Sequence, residues 1–254
     1  MEEDRYKIRI RFSKYGSLKF IGHLDVMHFF QQLIRRSRIP ICYSGGMSPH
    51  QIMSFALPLG TGLTSDGEYV DIETSYPVCS KDALTSLNEN SVEGIDILSY
   101  KLLPERSQNA MASVKAADYT VRFREGVALP PDFSEKFISC MQSDELSVVK
   151  KTKKSEGIVN IRPFIHEYEI VKEALKADGA GTDGAGTDGA APVIRLKLST
   201  GSVDNTKPEL VIKAVCEREG IELYKHALLI NRDEMYTVSE DGFVSLDAIG
   251  TNIE

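Results

Sequence analysis

Cysteine is sparse in this chain and never closely paired. The four cysteines, Cys42, Cys79, Cys140 and Cys216, include no C-x-x-C spacing, which excludes the common zinc ribbons and gives no disulfide framework. Each sits among apolar residues, as reduced, half-buried thiols do. Long apolar runs are lacking too. No segment approaches the roughly 18 residues of a membrane span, and no apolar run follows Met1-Glu2-Glu3-Asp4, so a cytoplasmic location is expected. An excess of positive charge is missing: the formal net charge is -7, which weighs against a nucleic-acid partner unless cations gather locally. Several chemical signatures are absent by spacing, namely G-x-x-x-x-G-K-[ST], G-x-G-x-x-G after a strand, H-E-x-x-H, G-x-S-x-G and a three-cysteine iron-sulfur motif. No metal site and no directly bound cofactor is expected.

What remains is a globular chain of 254 residues with 42% apolar and 26% charged residues, long enough for two cores. Tyr6 to Phe12 alternates strictly, with Tyr6, Ile8, Ile10 and Phe12 on one face and Arg5, Lys7, Arg9 and Arg11 on the other. That is a half-buried strand with a basic outer face. A turn follows at Lys14-Tyr15-Gly16-Ser17. Val26, Phe29, Phe30, Leu33 and Ile34 then recur at helical spacing over residues 23 to 38, and the helix ends before Ile39-Pro40. Gln51 to Leu57, Glu68 to Glu73 and Ile95 to Leu102 read as strands, and Ser80 can cap a helix over 81 to 90 with Asp82 in its first turn.

The second half follows a similar plan without evident residue identity. Asp118 to Arg124 is its first strand and residues 132 to 143 its first helix. Leu146 to Lys151, Ile158 to Ile161 and Val193 to Leu198 are strands, Pro208 to Glu219 is a helix, and Ala227 to Val238 closes as a strand or hairpin. The order predicts an α+β fold of two tandem ferredoxin-like (βαββαβ) units with antiparallel sheets. The first unit spans residues 1–103 with a glycine-rich signature loop at 41–62, the connector spans 104–116, and the second unit spans 117–254. Within the second, residues 176–191 repeat Asp-Gly-Ala-Gly-Thr. Such a composition buries almost nothing and reads as a flexible linker, since its aspartates match neither an EF-hand loop nor a calcium nonapeptide.

Two histidines stand out. His23 opens the first helix in Ile21-Gly22-His23-Leu24-Asp25, where the dipole favours a neutral imidazole and outward N–H groups suit an anion or a proton transfer. The alternative is a plain helix cap. His50 follows Ser48-Pro49 and either meets His23 or Tyr43 as an acid/base pair or holds a turn. The basic residues form a broader pattern: Arg5, Lys7, Arg9 and Arg11, then Arg122 and Arg124, then Arg195 and Lys197 lie on strand outer faces, and Lys150, Lys151, Lys153 and Lys154 form a cluster. If one sheet face is free, these make a surface for RNA phosphates; otherwise they are ordinary solvated side chains. Tyr15 and Tyr43 are candidates for stacking on bases.

The run Gly16-Ser17-Leu18-Lys19-Phe20-Ile21-Gly22-His23-Leu24-Asp25, then Arg35-Arg36, Tyr43-Ser44-Gly45-Gly46-Met47-Ser48-Pro49-His50, Ser54-Phe55-Ala56-Leu57-Pro58-Leu59 and Gly62 resembles the bacterial radical SAM-linked protein family. Asn160-Ile161-Arg162-Pro163-Phe164-Ile165 is similar to that family's second signature. Met47, Ser48 and Gln51 stand where the family usually has Phe, Asn and Pro, which puts an asparagine-specific contact in doubt. The resemblance implies a domain of unknown function that is fused to or encoded with a cobalamin-binding radical SAM protein. The iron-sulfur cluster, SAM and cobalamin would then sit on the partner only.

The expectation that follows is a non-catalytic accessory protein that binds or presents RNA of tRNA type. Arg9, Arg11, Arg35, Arg36, Arg122 and Arg124 would contact phosphate, with Tyr43, Ser48 and His50 in the recognition loop. One alternative is an RNA-processing or RNA-modifying enzyme with His23 and His50 as acid and base. Another is a purely protein-binding scaffold.

Overall fold

A computed structural model describes residues 5–151, 156–171, 192–201 and 205–254. It divides into two compact units, the first made of Met1–Ala117, Gly201–Val203 and Asn231–Glu254, the second of Asp118–Thr200 and Asp204–Ile230. The C-terminal stretch thus groups with the first unit, although chain order alone assigns it to the second. The 176–191 repeat, Lys153 and Lys154 lie outside the described residues.

The first unit contains β1 (Tyr6–Lys14), α1 (His23–Arg36), β2 (Met53–Phe55), β3 (Thr64–Thr74), α2 (Ser80–Glu89), β4 (Ile97–Leu102) and the short α3 (Ala110–Ser113). β1 pairs antiparallel with β4 on one side and β3 on the other, and β2 pairs antiparallel with β3. The period-2 stripe of β1 explains the core: Ile8, Ile10 and Phe12 are buried against Phe30, Leu33 and Ile34 of α1, Ala83 and Leu87 of α2, and Val70 and Ile72 of β3. Phe12, Phe30 and Phe55 form an aromatic triangle with ring centroids 4.5, 5.5 and 6.2 Å apart. α1 begins at Gly22, whose N–H donates to the Asp25 carboxylate at 3.2 Å. Ser80 is the first residue of α2, not its cap, and its hydroxyl donates to the Tyr100 carbonyl at 2.6 Å.

The second unit contains β5 (Ala116–Phe123), α4 (Phe133–Gln142), the hairpin β6 (Ser147–Lys151) with β7 (Glu156–Asn160), β8 (Ile165–Val171), β9 (Val193–Ser199) and α5 (Pro208–Glu219). β10 (Leu228–Ser239) follows and leads into β11 (Gly242–Ser245). β8 pairs antiparallel with β9, and the neighbours run β10, β5, β9, β8. β8 escapes a sequence reading because an irregularity between Ile165 and Glu167 breaks the period of its apolar residues Ile165, Tyr168 and Ile170, while His166, Glu167 and Glu169 are exposed. Taken together, the chain is mixed α and β with mostly antiparallel pairing, an α+β fold with five α-helices among the described residues.

The second face of the first unit's sheet departs from expectation. Arg9, assigned by alternation to solvent, is 1% exposed. Its Nε and Nη2 donate to the two Asp71 oxygens at 2.8 and 2.9 Å, and its Nη1 donates to the Leu246 carbonyl at 3.2 Å. Asp71 also accepts the Ala110 N–H at 2.6 Å. Beside this pair, Arg11 bridges to Glu234 at 3.2 Å, and Lys101 donates to Asp247 at 2.6 Å. The covering groups come from α3, β10 and the 3-10 turn Leu246–Ile249. Alternation fixes which residues share a face but is silent about whether another segment covers it, and a buried cation survives there because carboxylates and a carbonyl meet it.

The close approach of β10 to β3 leaves no room at Gly67, where an added Cβ would lie 2.7 Å from the Asp233 carbonyl oxygen and 2.8 Å from Glu234 Cα. Gly67→Ala is expected to cost about 1–3 kcal/mol by overpacking. Urea unfolding of the variant against the parent chain measures it, and equal midpoints would mean that β10 does not pack on β3 as described.

Candidate functional site

Two places gather the residues singled out by sequence. The first is the loop at Tyr43–His50. Its base is closed by the Tyr43–Gln51 bridge and by the Ser44 N–H donating to the His50 carbonyl at 2.8 Å. The Ser44 hydroxyl lies 2.8 Å from His50 Nδ1 and accepts the His50 N–H at 3.1 Å. Gly46 takes the left-handed φ of 95° that the turn requires. Within this closed frame Met47 is fully solvent-exposed and Tyr43 is 48% exposed, while Ser48 and His50 are exposed as well.

The second is a pocket lined by Phe12, Lys14, His23, Val26, Phe55, Leu57, Pro58, Leu59, Glu68 and Tyr69. Several elements supply it. β1 extends through Lys14, two residues past Phe12 on the same face, so the turn expected at Lys14 begins one residue later and the lysine enters the core stripe. Glu68 of β3 lies opposite Phe12 in register. His23 is the first residue of α1, and its ring sits edge-on to Phe55 at 5.3 Å. Leu57 to Leu59 follow β2. The remaining space holds about one water molecule.

The charges of this pocket are unequal. Glu68 is engaged by Arg232 of β10, whose Nε and Nη2 donate to it at 2.6 to 2.9 Å and whose Nη2 also reaches the Leu57 carbonyl at 2.7 Å. Lys14 is 2% exposed, and its Nζ donates to the Ile21 carbonyl at 3.2 Å. Burial pushes the Lys14 ammonium below its usual value; Glu68 opposes that shift and Arg232 adds to it. Burial likewise lowers the His23 imidazole, against an opposing pull from Glu68, so His23 is held neutral over more of the pH range than a free histidine.

His23 and His50 belong to different places. Gln51, next to His50, donates to the Gln31 carbonyl, eight residues or about 12 Å along α1 from His23. Among the basic candidates, Arg9 is buried and Arg11 is bridged to Glu234. Arg35 is exposed, and Arg36, also exposed, donates to the Asn90 carbonyl at 3.0 Å. In the second unit Arg122 and Arg124 are exposed, with Arg124 Nε donating to the His226 carbonyl at 2.9 Å. Arg195 bridges to Glu169, and Lys197 to Glu167 and Asp118. Lys14, Glu68 and Arg232 are the residues that sequence reasoning missed. A lysine at the fifth position of the stripe Tyr6, Ile8, Ile10, Phe12 was the available signal for the first.

Among the described residues, no three His, Cys, Asp or Glu side chains group as a metal ion requires, and no helix is long and apolar enough to cross a membrane. Residues 7–208 match the model of a family described as uncharacterized proteins conserved in bacteria (DUF2344), and the chain belongs to that family. No curated protein matches it. The matched residues include every lining residue of the pocket, whereas Arg232 lies beyond them.

Lys14 offers a sign-definite test. Its folded value lies below the 10.5 of the free side chain, so between the two the unfolded chain holds the extra proton and stability rises with pH. Lys14→Met removes that penalty. The variant is expected to unfold at higher urea than the parent near neutral pH, with the gap narrowing as pH approaches 10.5. A gap that widens with pH would mean that Lys14 is not held in the interior.

Proposed function

We propose that this protein is a non-catalytic accessory that docks on a radical SAM protein through the Tyr43–His50 loop, in the cytoplasm, with the cluster, SAM and any cobalamin carried by the partner. The observation that carries this reading is a loop closed at its base by Ser44 and His50 that nevertheless presents Met47 fully exposed beside a half-exposed Tyr43. A rigid loop with a bare apolar tip loses little conformational freedom on association, which favours protein contact. The identity of the partner rests on the signature resemblance of residues 16–62.

Presentation of RNA is the second reading, favoured by the exposure of Arg35 and Arg36 at the C-terminal end of α1 and of Arg122 and Arg124 in the other unit. The cations of β1 support it less, since Arg5, Arg9 and Arg11 each have a carboxylate partner. Both units also fit the ferredoxin-like plan that we propose for them. The antiparallel order β4, β1, β3, β2 of the first supports that plan, as does the succession β5, β9, β8 in the second.

Binding of the purified protein to radical SAM proteins from a bacterium carrying this family tests the reading. Saturable binding is expected, and Met47→Asp should weaken it by roughly tenfold or more, as loss of an anchor residue does. Binding to none of them, or equal binding by the variant, overturns it. For RNA, Arg35→Glu with Arg36→Glu should reduce both tRNA affinity and its salt dependence; tRNA binding that neither change touches removes that role.

A further inference from the structure

Met47 differs from the other methionines in how little surrounds it. Of the six among the described residues, Met141 and Met235 are fully buried, Met27 and Met53 pack against the first unit's core, and Met111 is 55% exposed. Met47 is fully exposed, and its neighbours leave it open: an added Cβ at Gly45 or Gly46 would meet nothing within 4 Å. The bonds that close the loop run from Ser44 to His50 and from Tyr43 to Gln51, and none of them involves Met47. Chemistry at its sulfur therefore changes what the loop presents without opening its frame.

We infer that Met47 is a selective oxidation site whose sulfoxide switches off docking. Hydrogen peroxide transfers one oxygen to the thioether: the S–O bond forms, the O–O bond breaks, the sulfur loses two electrons and water leaves. The product is polar, so the apolar tip of the loop becomes a group that holds on to water. The selectivity rests on exposure alone, and the loss of contact rests on the docking reading. Thiols compete for peroxide as thiolates. Cys140 and Cys216 are buried, and burial pushes both thiols up, away from the reactive form. Cys42 and Cys79 are half-buried, and their oxidation is separated from that of Met47 by what reverses it.

Peptide mass mapping of the full chain during hydrogen peroxide treatment tests the site. Met47 is expected to gain its oxygen before Met111, and well before Met27, Met53, Met141 and Met235. Binding to radical SAM proteins from a bacterium carrying this family should then weaken roughly tenfold or more, as for loss of an anchor residue. A bound partner, by covering the thioether, should in turn slow oxidation at Met47. Methionine sulfoxide reductase should restore binding. Dithiothreitol should not, since it reverses sulfenic acids and disulfides at cysteine but leaves a sulfoxide intact. Met47→Leu removes the sulfur, so peroxide should leave that variant's own affinity, whatever its starting value, where it was.

Oxidation of Met111 as early as Met47, undiminished binding by chains whose Met47 carries the oxygen, or a peroxide-induced loss of binding that Met47→Leu shares overturns the inference. If the untreated chain binds no radical SAM protein, the docking reading falls and takes the switch with it, while the order of oxidation still decides the site.

Discussion

The pairing of Arg9 with Asp71 governs what the first unit's sheet can present. The two residues sit directly opposite on β1 and β3, and on the other side Arg9 is opposite Lys101 of β4. Adjacent cations across strands repel, so this row needs anions and acceptors brought to it. Asp71 supplies one, Asp247 neutralises Lys101, and the Leu246 carbonyl takes the remaining Arg9 donor. Burial pushes the Asp247 carboxyl up, but hydrogen bonds from Lys101 and Ser99 outweigh it and hold the group below its usual range. The C-terminal stretch is thereby recruited to the first unit by charge as much as by the fully buried Leu246. Leaving a bare guanidinium under that cover would cost several kcal/mol, about 3–5 by analogy with other broken buried pairs.

That closure decides which surface is left for function. A sheet face filled with matched ion pairs offers little to a polyanion, because each cation would first have to lose its carboxylate. Surface remains at the Tyr43–His50 loop and at exposed arginines beyond β1, and among the described residues Lys14 is a buried cation that makes no ion pair. The loop and the pocket sit at different stations along α1, one beside Gln31 and the other at its first residue.

Much of the backbone was legible in the sequence. Alternation located β1 and helical spacing located α1, and β3, β4, β5, β9, α4 and α5 were also placed within a few residues of their observed bounds. These signals are local, since they arise from one face of one element meeting a core. What alternation could not tell was the fate of the opposite face. Arg9 and Arg11 follow the same pattern as surface arginines, and it takes Ala110 of α3 and a segment more than 200 residues away, carrying Glu234 and Leu246, to bury Arg9 and half-bury Arg11. β8 was missed for a different reason: the irregularity after Ile165 puts its apolar stripe out of phase, and exposed His166, Glu167 and Glu169 interrupt it. For the site, His23 and Phe55 to Leu59 came from recognisable motifs, but Glu68 looked like an ordinary strand residue and Arg232 like part of a closing hairpin. Their pairing is a property of tertiary structure.

The central claim is that Arg9 is an interior residue bound to Asp71, and a double-mutant cycle with Arg9→Met and Asp71→Leu, read by equilibrium urea unfolding, tests it most directly. Each single change should destabilise by about 3–5 kcal/mol, because it strands the other charge. The double variant should cost less than the sum of the two single changes, by a coupling of about 1–3 kcal/mol. Single costs within about 0.5 kcal/mol and strictly additive would be the behaviour of solvated surface residues, and would contradict the closed face on which the account rests.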